Sequence, residues 1–414
     1  MVILCVDLKG FYASVECVFR GLDPLAVDLA VADERRGGGS IVLAVTPHLK
    51  KRGVRSRCRL YQLPKDGIII ARPRMKKYIE YSCKVYEIYL RFVSPEDIHI
   101  YSIDEAFLDI THYIKYYNAS PQEIARKILD AIYEETGLPA SCGVGDNIFL
   151  AKVALDCLAK RRSDNIAYLD KDLFRKYIWD LRPLDNIWGI GRRLSRRLAA
   201  LNIRTLRDLA RTPPEKLEKK FGVLGLELYR HAHGEDATTV REAREYHPQS
   251  KTFGHGQVFL EDYDYKDVRV VITEIAAEIA TELALRRLCC QEVALGIGYS
   301  KKYGGGFYRQ KKLETKTNSF KTLLSAYEEL YKKHVIDLPI RTINMRVGKL
   351  SNEEFLQPDL FTDVQIEVKE RNLYRAIGEI REKFGKAAVR LAVSNMEKAT
   401  LVKRSVLIGG HNAE

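Results

Sequence analysis

The chain opens on Val2-Ile-Leu-Cys-Val6, a short apolar run rich in β-branched residues, and the run stops at a carboxylate, Asp7. Such a run reads as a buried strand. Helical text follows from Phe11 to about Arg20, a second β run spans Ser40–Val45, and Thr46–Arg59 reads as a basic loop and turn. Apolar and aromatic residues recur at helical spacing from Lys76 to Phe92. The segment from Ile98 to Ile110 carries strand-like residues on both sides of a break near Ser102–Asp104, so it reads as a hairpin. Pro121–Glu135 is a helix with Ser120 as its N-cap. Ser141–Val144 is a short strand, and Phe149–Lys160 a further helix. Strands alternating with helices predict an α/β layer with helices covering one or both sheet faces.

The text changes after about Asp170. Residues to Gly234 are helical and punctuated by Gly189-Ile-Gly191, Pro213-Pro214 and Gly222, and the charged stretch Glu235–Ser250 reads as a linker. Residues 251–350 form another unit: a long amphipathic helix over Asp267–Leu288, then strands over Val293–Tyr299, Phe307–Leu313 and Arg341–Val347. The tail holds one charged helix near Ile366–Phe384. A 414-residue chain with 46% hydrophobic residues can bury several cores. Its 68 Lys and Arg against 55 acidic residues leave a net charge of +13, which favours a polyanionic partner such as nucleic acid. None of the eight cysteines forms a Cys-x-x-Cys pair, so reduced thiols in a cytoplasmic protein are expected rather than zinc or disulfides. No stretch of about 18 apolar residues could span a membrane.

The carboxylates carry the chemistry. In open α/β sheets ligands gather at the carboxyl ends of strands, and Asp7 ends the first one. Asp104 and Glu105 sit at the hairpin turn beside Ile103, Ala106, Phe107 and Leu108. Three carboxylates brought together repel one another unless cations neutralise them. Magnesium suits such a cage, because it takes hard oxygen ligands and keeps waters and phosphates in its shell. The same residues would equally suit a helix cap at Asp7 and a solvated turn at Asp104-Glu105.

Val6-Asp-Leu-Lys-Gly-Phe-Tyr-Ala-Ser-Val-Glu16, together with Tyr101-Ser-Ile-Asp-Glu-Ala-Phe-Leu-Asp109, resembles the two signature segments of Y-family DNA polymerases. The resemblance covers residues 1 to about 350, and the tail is similar to the UmuC-type branch of Gram-positive bacteria and their mobile elements. It implies an α/β right-hand fold with a ferredoxin-like palm (1–10 and 75–168) and small fingers (11–74). A helical thumb (169–235), a linker (236–250), an α/β little finger (251–350) and a C-terminal tail (351–414) would follow. It further implies a low-fidelity, template-directed DNA polymerase that extends primers past damaged bases and has no proofreading exonuclease. By that match Asp7, Asp104 and Glu105, with the main-chain carbonyl of Leu8, hold two Mg2+ ions. Lys9 is a departure, since many relatives carry an acidic or amide residue there, but it is not a family ligand.

Phe11 and Tyr12 open the helix after the first strand, where free N–H groups suit a nucleotide's phosphates, so both are expected at the nucleotide; the resemblance makes Tyr12 the steric gate that rejects a ribose 2′ hydroxyl. It places Thr46 and Lys50 in the fingers segment that holds the triphosphate, with Pro47 replacing a Tyr of one branch, and makes Lys160 the triphosphate lysine of the palm. Asn186-Ile-Trp-Gly-Ile-Gly-Arg-Arg193 reads as a helix–hairpin–helix turn, with Gly189, Gly191, Arg192 and Arg193 at the DNA backbone. Lys301, Lys302, Arg309, Lys311 and Lys312 would add salt-sensitive contacts from the little finger. Gln357-Pro-Asp359-Leu360-Phe361 resembles the peptide that docks bacterial polymerases on the sliding clamp. Expected partners are primer–template DNA, deoxynucleoside triphosphates and the clamp, with UmuD-like and RecA-like proteins as accessory candidates. A non-catalytic DNA-binding scaffold and a nucleotidyl cyclase are the competing classes. The first leaves the carboxylates unexplained, and the second leaves the thumb and little finger unexplained.

Overall fold

The computed structural model describes residues 1–64, 66–246, 252–353 and 364–414. The chain divides into two compact units, Met1–His247 with His411–Glu414, and Pro248–Gly410.

In the first unit, β1 (Ile3–Leu8) is followed by α1 (Phe11–Phe19), then β2 (Leu29–Val31), β3 (Ala44–Val45), the short helix α2 (Pro47–Lys51) and β4 (Ile69–Ala71). Strands β2, β3 and β4 form their own three-stranded sheet over a small core of Ala30, Val42, Val45, Leu49 and Leu63. The β run expected over Ser40–Val45 shrinks to Ala44–Val45, and the basic segment after it coils into α2 because Pro47 and the Thr46 N-cap start a helix there.

Next come α3 (Met75–Tyr89), the hairpin β5 (Ile98–Ser102) and β6 (Glu105–Asp109), α4 (Tyr113–Tyr117), α5 (Pro121–Thr136), β7 (Ala140–Gly145), α6 (Ile148–Val153) and β8 (Ile166–Leu169). Ser120 caps α5 in a reciprocal box with Glu123, as its sequence predicts. The five strands order β5-β6-β1-β7-β8, so the first strand of the chain lies in the centre. That position explains why β1 is apolar on both faces: Ile3, Leu4, Cys5 and Val6 are fully buried.

The helical region comprises α7 (Lys171–Tyr177), α8 (Arg192–Ala199), α9 (Leu206–Arg211), α10 (Pro214–Phe221) and α11 (Val223–Ala232). The stretch expected to be a linker contains a helix, α12 (Val240–Glu245), capped by a Thr239–Glu242 box. Val240 is buried in the same core as Leu198, Leu209 and Leu228, so this segment belongs to the first unit. Residues 247–250 of that linker lie outside the described residues.

The second unit is a five-stranded antiparallel sheet, four strands ordered β11-β10-β12-β9 and a short fifth paired to the start of β10, with its helices on one face. It runs β9 (Thr252–Tyr263), α13 (Tyr265–Leu285), β10 (Leu288–Tyr299), β11 (Gly306–Thr317), α14 (Phe320–His334), β12 (Ile340–Gly348) and the short β13 (Ser351–Asn352). Periodicity finds α13, β10, β11 and β12, but misses β9 and α14. The tail as far as Gly410 is part of this unit. Helix α15 (Val364–Phe384) packs on α13 so closely that a Cβ on Gly378 would lie 2.5 Å from Leu285. Fully buried Glu274 of α13 accepts from the backbone N–H of Thr400 at 2.8 Å and of Leu401 at 3.2 Å, just where α16 (Leu401–Ser405) begins.

Candidate active site

The sheet register assembles the carboxylates. Asp7 on β1 lies directly opposite Glu105 on β6, and the two strands run antiparallel. Directly opposed residues of such a pair share a face. Asp104 occupies the turn between β5 and β6, where its carbonyl accepts from the N–H of Leu8 at 2.9 Å and its carboxylate accepts from the Ser102 hydroxyl at 2.7 Å. Asp7, Leu8, Asp104 and Glu105 are therefore neighbours, separated by almost 100 residues of chain and joined by one strand pairing.

Two lysines hold these carboxylates. Lys160 Nζ lies 3.0 Å from Asp7 Oδ2 and 2.8 Å from Asp156 Oδ1. Lys152 Nζ lies 2.6 Å from Glu105 Oε1 and 3.0 Å from Asp156 Oδ2. No trio of acidic, Cys or His residues among the described ones forms a ready-made cage. The donor set nevertheless fits a hard divalent cation: three carboxylates and a main-chain carbonyl, all oxygen. Ser141, opposite Asp7 on β7, adds a buried hydroxyl without a hydrogen-bond partner among the described residues. Burial pushes the Asp7 carboxyl up to about 6, with the neighbouring Asp104 and Glu105 adding to the rise, although Lys160 pulls it down. Burial alone would depress Lys160, but Asp7 and Asp156 raise its ammonium above the usual lysine range.

The nucleotide side is built on α1. Gly10 precedes the helix at φ +57, and a Cβ there would meet the Val45 carbonyl oxygen at 2.6 Å, so only glycine fits this junction. Phe11 turns into the core, while the ring of half-buried Tyr12 stacks on Tyr78 of α3, 4.4 Å between centroids. The Tyr78 hydroxyl donates to Glu16 at 2.9 Å, and Arg74 grips the same buried carboxylate with two N–H donors. Sequence reasoning missed this support, whose only trace is an acidic residue inside an apolar helix.

Thr46 is fully buried. Its hydroxyl donates to the Val27 carbonyl at 2.7 Å and accepts from Leu49 N–H, so the structure makes it the cap beneath α2 rather than an open contact. Lys50 is exposed on that helix. Lys9 donates to Asn165, and its ammonium is depressed by burial and by the fields of Lys51, Lys160 and Lys50, against the opposing field of Asp7.

The hairpin ahead of α8 has Gly189 at φ +84, a left-handed position that suits glycine, and Gly191 as the N-cap. Arg192 and Arg193 are exposed. In the second unit, Lys301 and Lys302 are exposed in the turn after β10. Arg309 and Lys311 stand opposite Leu295 and Val293, which are buried under the helices, and Lys311 pairs with Glu329 of α14. Strand alternation thus puts both on the helix-covered face. The open face instead presents Lys312, opposite Glu292, and Arg346, opposite Ala294. Arg346 escaped sequence reading because one arginine in a strand carries no directional signal. Gln357, Asp359, Leu360 and Phe361 lie outside the described residues.

A central strand bearing Asp7, with Asp104 and Glu105 beside it and a helical hairpin region and an antiparallel-sheet unit further along the chain, is the arrangement of a nucleotidyl-transferring polymerase. Comparison specifies the family. Profiles described as the impB/mucB/samB family and its C-terminal domain match residues 6–156 and 250–360, and one described as the DNA polymerase-iota thumb domain matches residues 185–236. The Bacillus subtilis (strain 168) protein UvrX, whose name assigns it to UV-damage repair, is 37% identical over 99% of this chain and 97% of its own. DNA polymerase IV 2 of Halalkalibacterium halodurans is 33% identical over 99% of both chains. A solved Y-family DNA polymerase chimera shares the fold, with a TM-score of 0.65 over 84% of this chain and 98% of its own, at 23% identity. The chain belongs to the Y family of DNA polymerases, and it is a DNA-directed DNA polymerase of the lesion-bypassing type. Among the described residues no helix is long and apolar enough to cross a membrane.

Proposed function

We propose that this polymerase extends primers with Asp7, Asp104, Glu105 and the Leu8 carbonyl holding two Mg2+ ions. The observation that carries the reading is the register pairing of Asp7 with Glu105 next to the turn that bears Asp104. When bound, such ions lower the pKa of the primer hydroxyl and neutralise charge on the leaving pyrophosphate. The chain's own residues do the rest. Tyr12, braced by Tyr78, rejects the ribose 2′ hydroxyl. Lys160, whose side chain is one-third exposed, can leave Asp7 for a phosphate, joined by Lys50 and Lys9. Residues 1–10 and 75–168 act as palm, 11–74 as fingers, 169–246 as thumb, and the second unit as little finger with the tail built onto it. Gly189, Gly191, Arg192 and Arg193 grip the DNA backbone from the thumb. Lys301, Lys302, Lys312 and Arg346 do so from the little finger.

The expected setting is the cytoplasm, and the Gln357–Phe361 peptide is assigned to the sliding clamp, with Leu360 and Phe361 as apolar anchors. UmuD-like and RecA-like proteins remain accessory candidates. Asp104→Ala tests the central reading: it should abolish magnesium-dependent primer extension while leaving primer–template affinity within about twofold, since the basic grip lies elsewhere. Extension at the wild-type rate would overturn it.

A further inference from the structure

Lys152 is a lysine that the chemistry above leaves without a task. Its side chain is only 7% exposed, so it cannot follow a phosphate outward as Lys160 can at 32%. A buried ammonium is costly unless paired, and this one is paired twice, with Glu105 Oε1 at 2.6 Å and Asp156 Oδ2 at 3.0 Å. The Cys5 thiol also donates to Glu105 Oε1, at 3.3 Å. Two donors on Oε1 leave Oε2 without a partner among the described residues.

The backbone places Lys152, Asp156 and Lys160 at intervals of four residues. Helix α6 ends at Val153 and runs into a wider π-helical turn, Ala154–Leu158, which carries Asp156 between the two lysines. Such turns recur at functional sites because they re-aim side chains. The segment is pressed onto the sheet: Gly143 of β7 faces the Ala151 carbonyl and the Leu155 N–H with no room for a side chain. The Tyr101 ring lies 5.8 Å from Lys152 Nζ, and its hydroxyl accepts from the Trp188 N–H at 3.2 Å. Lys152 is therefore held between Glu105 and Asp156, and what it fixes in turn is one oxygen of Glu105.

We infer that Lys152 is a positioning residue for the metal site: anchored by Asp156, it captures Glu105 Oε1 so that Oε2 is presented to a divalent cation. This rests on Glu105 being a metal ligand. The alternative effect of a nearby ammonium is opposite in sign, since a cation that acts only through its field weakens metal binding and its removal should strengthen it.

The test is Mn2+ binding to the full chain on primer–template DNA, read by electron paramagnetic resonance without turnover. Lys152→Met keeps the methylenes and removes the donor. It should raise the Mn2+ dissociation constant about tenfold or more, with DNA affinity little changed and the melt still cooperative, at a lowered midpoint because buried Glu105 loses its partner. Lys152→Arg should recover part of the affinity. In a Glu105→Gln background, Lys152→Met should add nothing, because it acts through that carboxylate. If Lys152→Met does not melt cooperatively, Lys152→Gln carries the same titration with a polar group for Asp156. Unchanged or tighter Mn2+ binding in the folded variant would overturn the inference. If Glu105→Gln alone leaves Mn2+ affinity unchanged, the ligand reading fails instead, which separates the two.

Discussion

Gly143→Ala tests whether the close seat of the lysine-bearing segment on the sheet matters to the chemistry. A Cβ at this position would lie 2.1 Å from the Ala151 carbonyl oxygen, 2.3 Å from the Leu155 nitrogen and 2.8 Å from the Leu155 Cα. All three are backbone atoms, so no rotamer change relieves the clash. Ordinary contact begins at 3.4 Å, and the segment must therefore retreat by roughly 1 Å. Overpacking of this kind costs about 1–3 kcal/mol; the upper end applies here because a helix must move. For a unit near 250 residues about 3 kcal/mol corresponds to roughly 6–12 °C in the melting midpoint. The retreat carries Lys152, Asp156 and Lys160 away from Glu105 and Asp7. A misplacement of about 1 Å in catalytic geometry can cost about a hundredfold in rate. Differential scanning calorimetry and single-turnover primer extension measure the two losses. A Gly143→Ala protein that melts within about 1 °C of the parent and extends primers at the parental rate would refute the reasoning.

Three further outcomes follow from the same geometry. Asp7 titrates near 6 in the metal-free protein, so protons compete with the cation below that pH and the Mg2+ needed for half-maximal extension should rise up to about tenfold per pH unit. A folded-state value above the unfolded 3.8 means the metal-free fold gains stability, up to about 3 kcal/mol, as pH falls through 6 toward 3.8. Asp7→Asn should flatten that part of the stability profile, and an unaltered profile counts against the assignment. Tyr12→Ala should raise ribonucleotide incorporation relative to deoxyribonucleotide by at least about tenfold, measured by competing the two triphosphates; an unchanged ratio removes Tyr12 as the gate. Glu274→Ala strips the buried acceptor from Thr400 and Leu401, at a cost of about 3 kcal/mol. It should speed amide exchange over residues 399–405, and protection equal to the parent's would show that the tail is anchored elsewhere.

What the chain's order of residues determined is local. An apolar run closed by Asp7, a hairpin broken at Asp104-Glu105 and a Ser-Pro start at residue 120 each encode their element within a few positions, because strand periodicity, turn chemistry and capping act over that range. The family motifs then add the three carboxylates. Tertiary structure decided the rest. Only the register of β1 with β6 puts Asp7 opposite Glu105, and only the seating of α6 and the turns after it on the sheet brings Lys152 to Glu105 and Lys160 to Asp7. Which face of β11 is covered decides that Lys312, and not Lys311, is open, since a strand's charges look alike in sequence until one side is buried. Val240 and Glu274 show the same limit: a helix in an apparent linker and a carboxylate inside α13 are stabilised by partners far along the chain. Those partners lie beyond the reach of propensity and spacing, because burial and long-range pairing are properties of the folded chain.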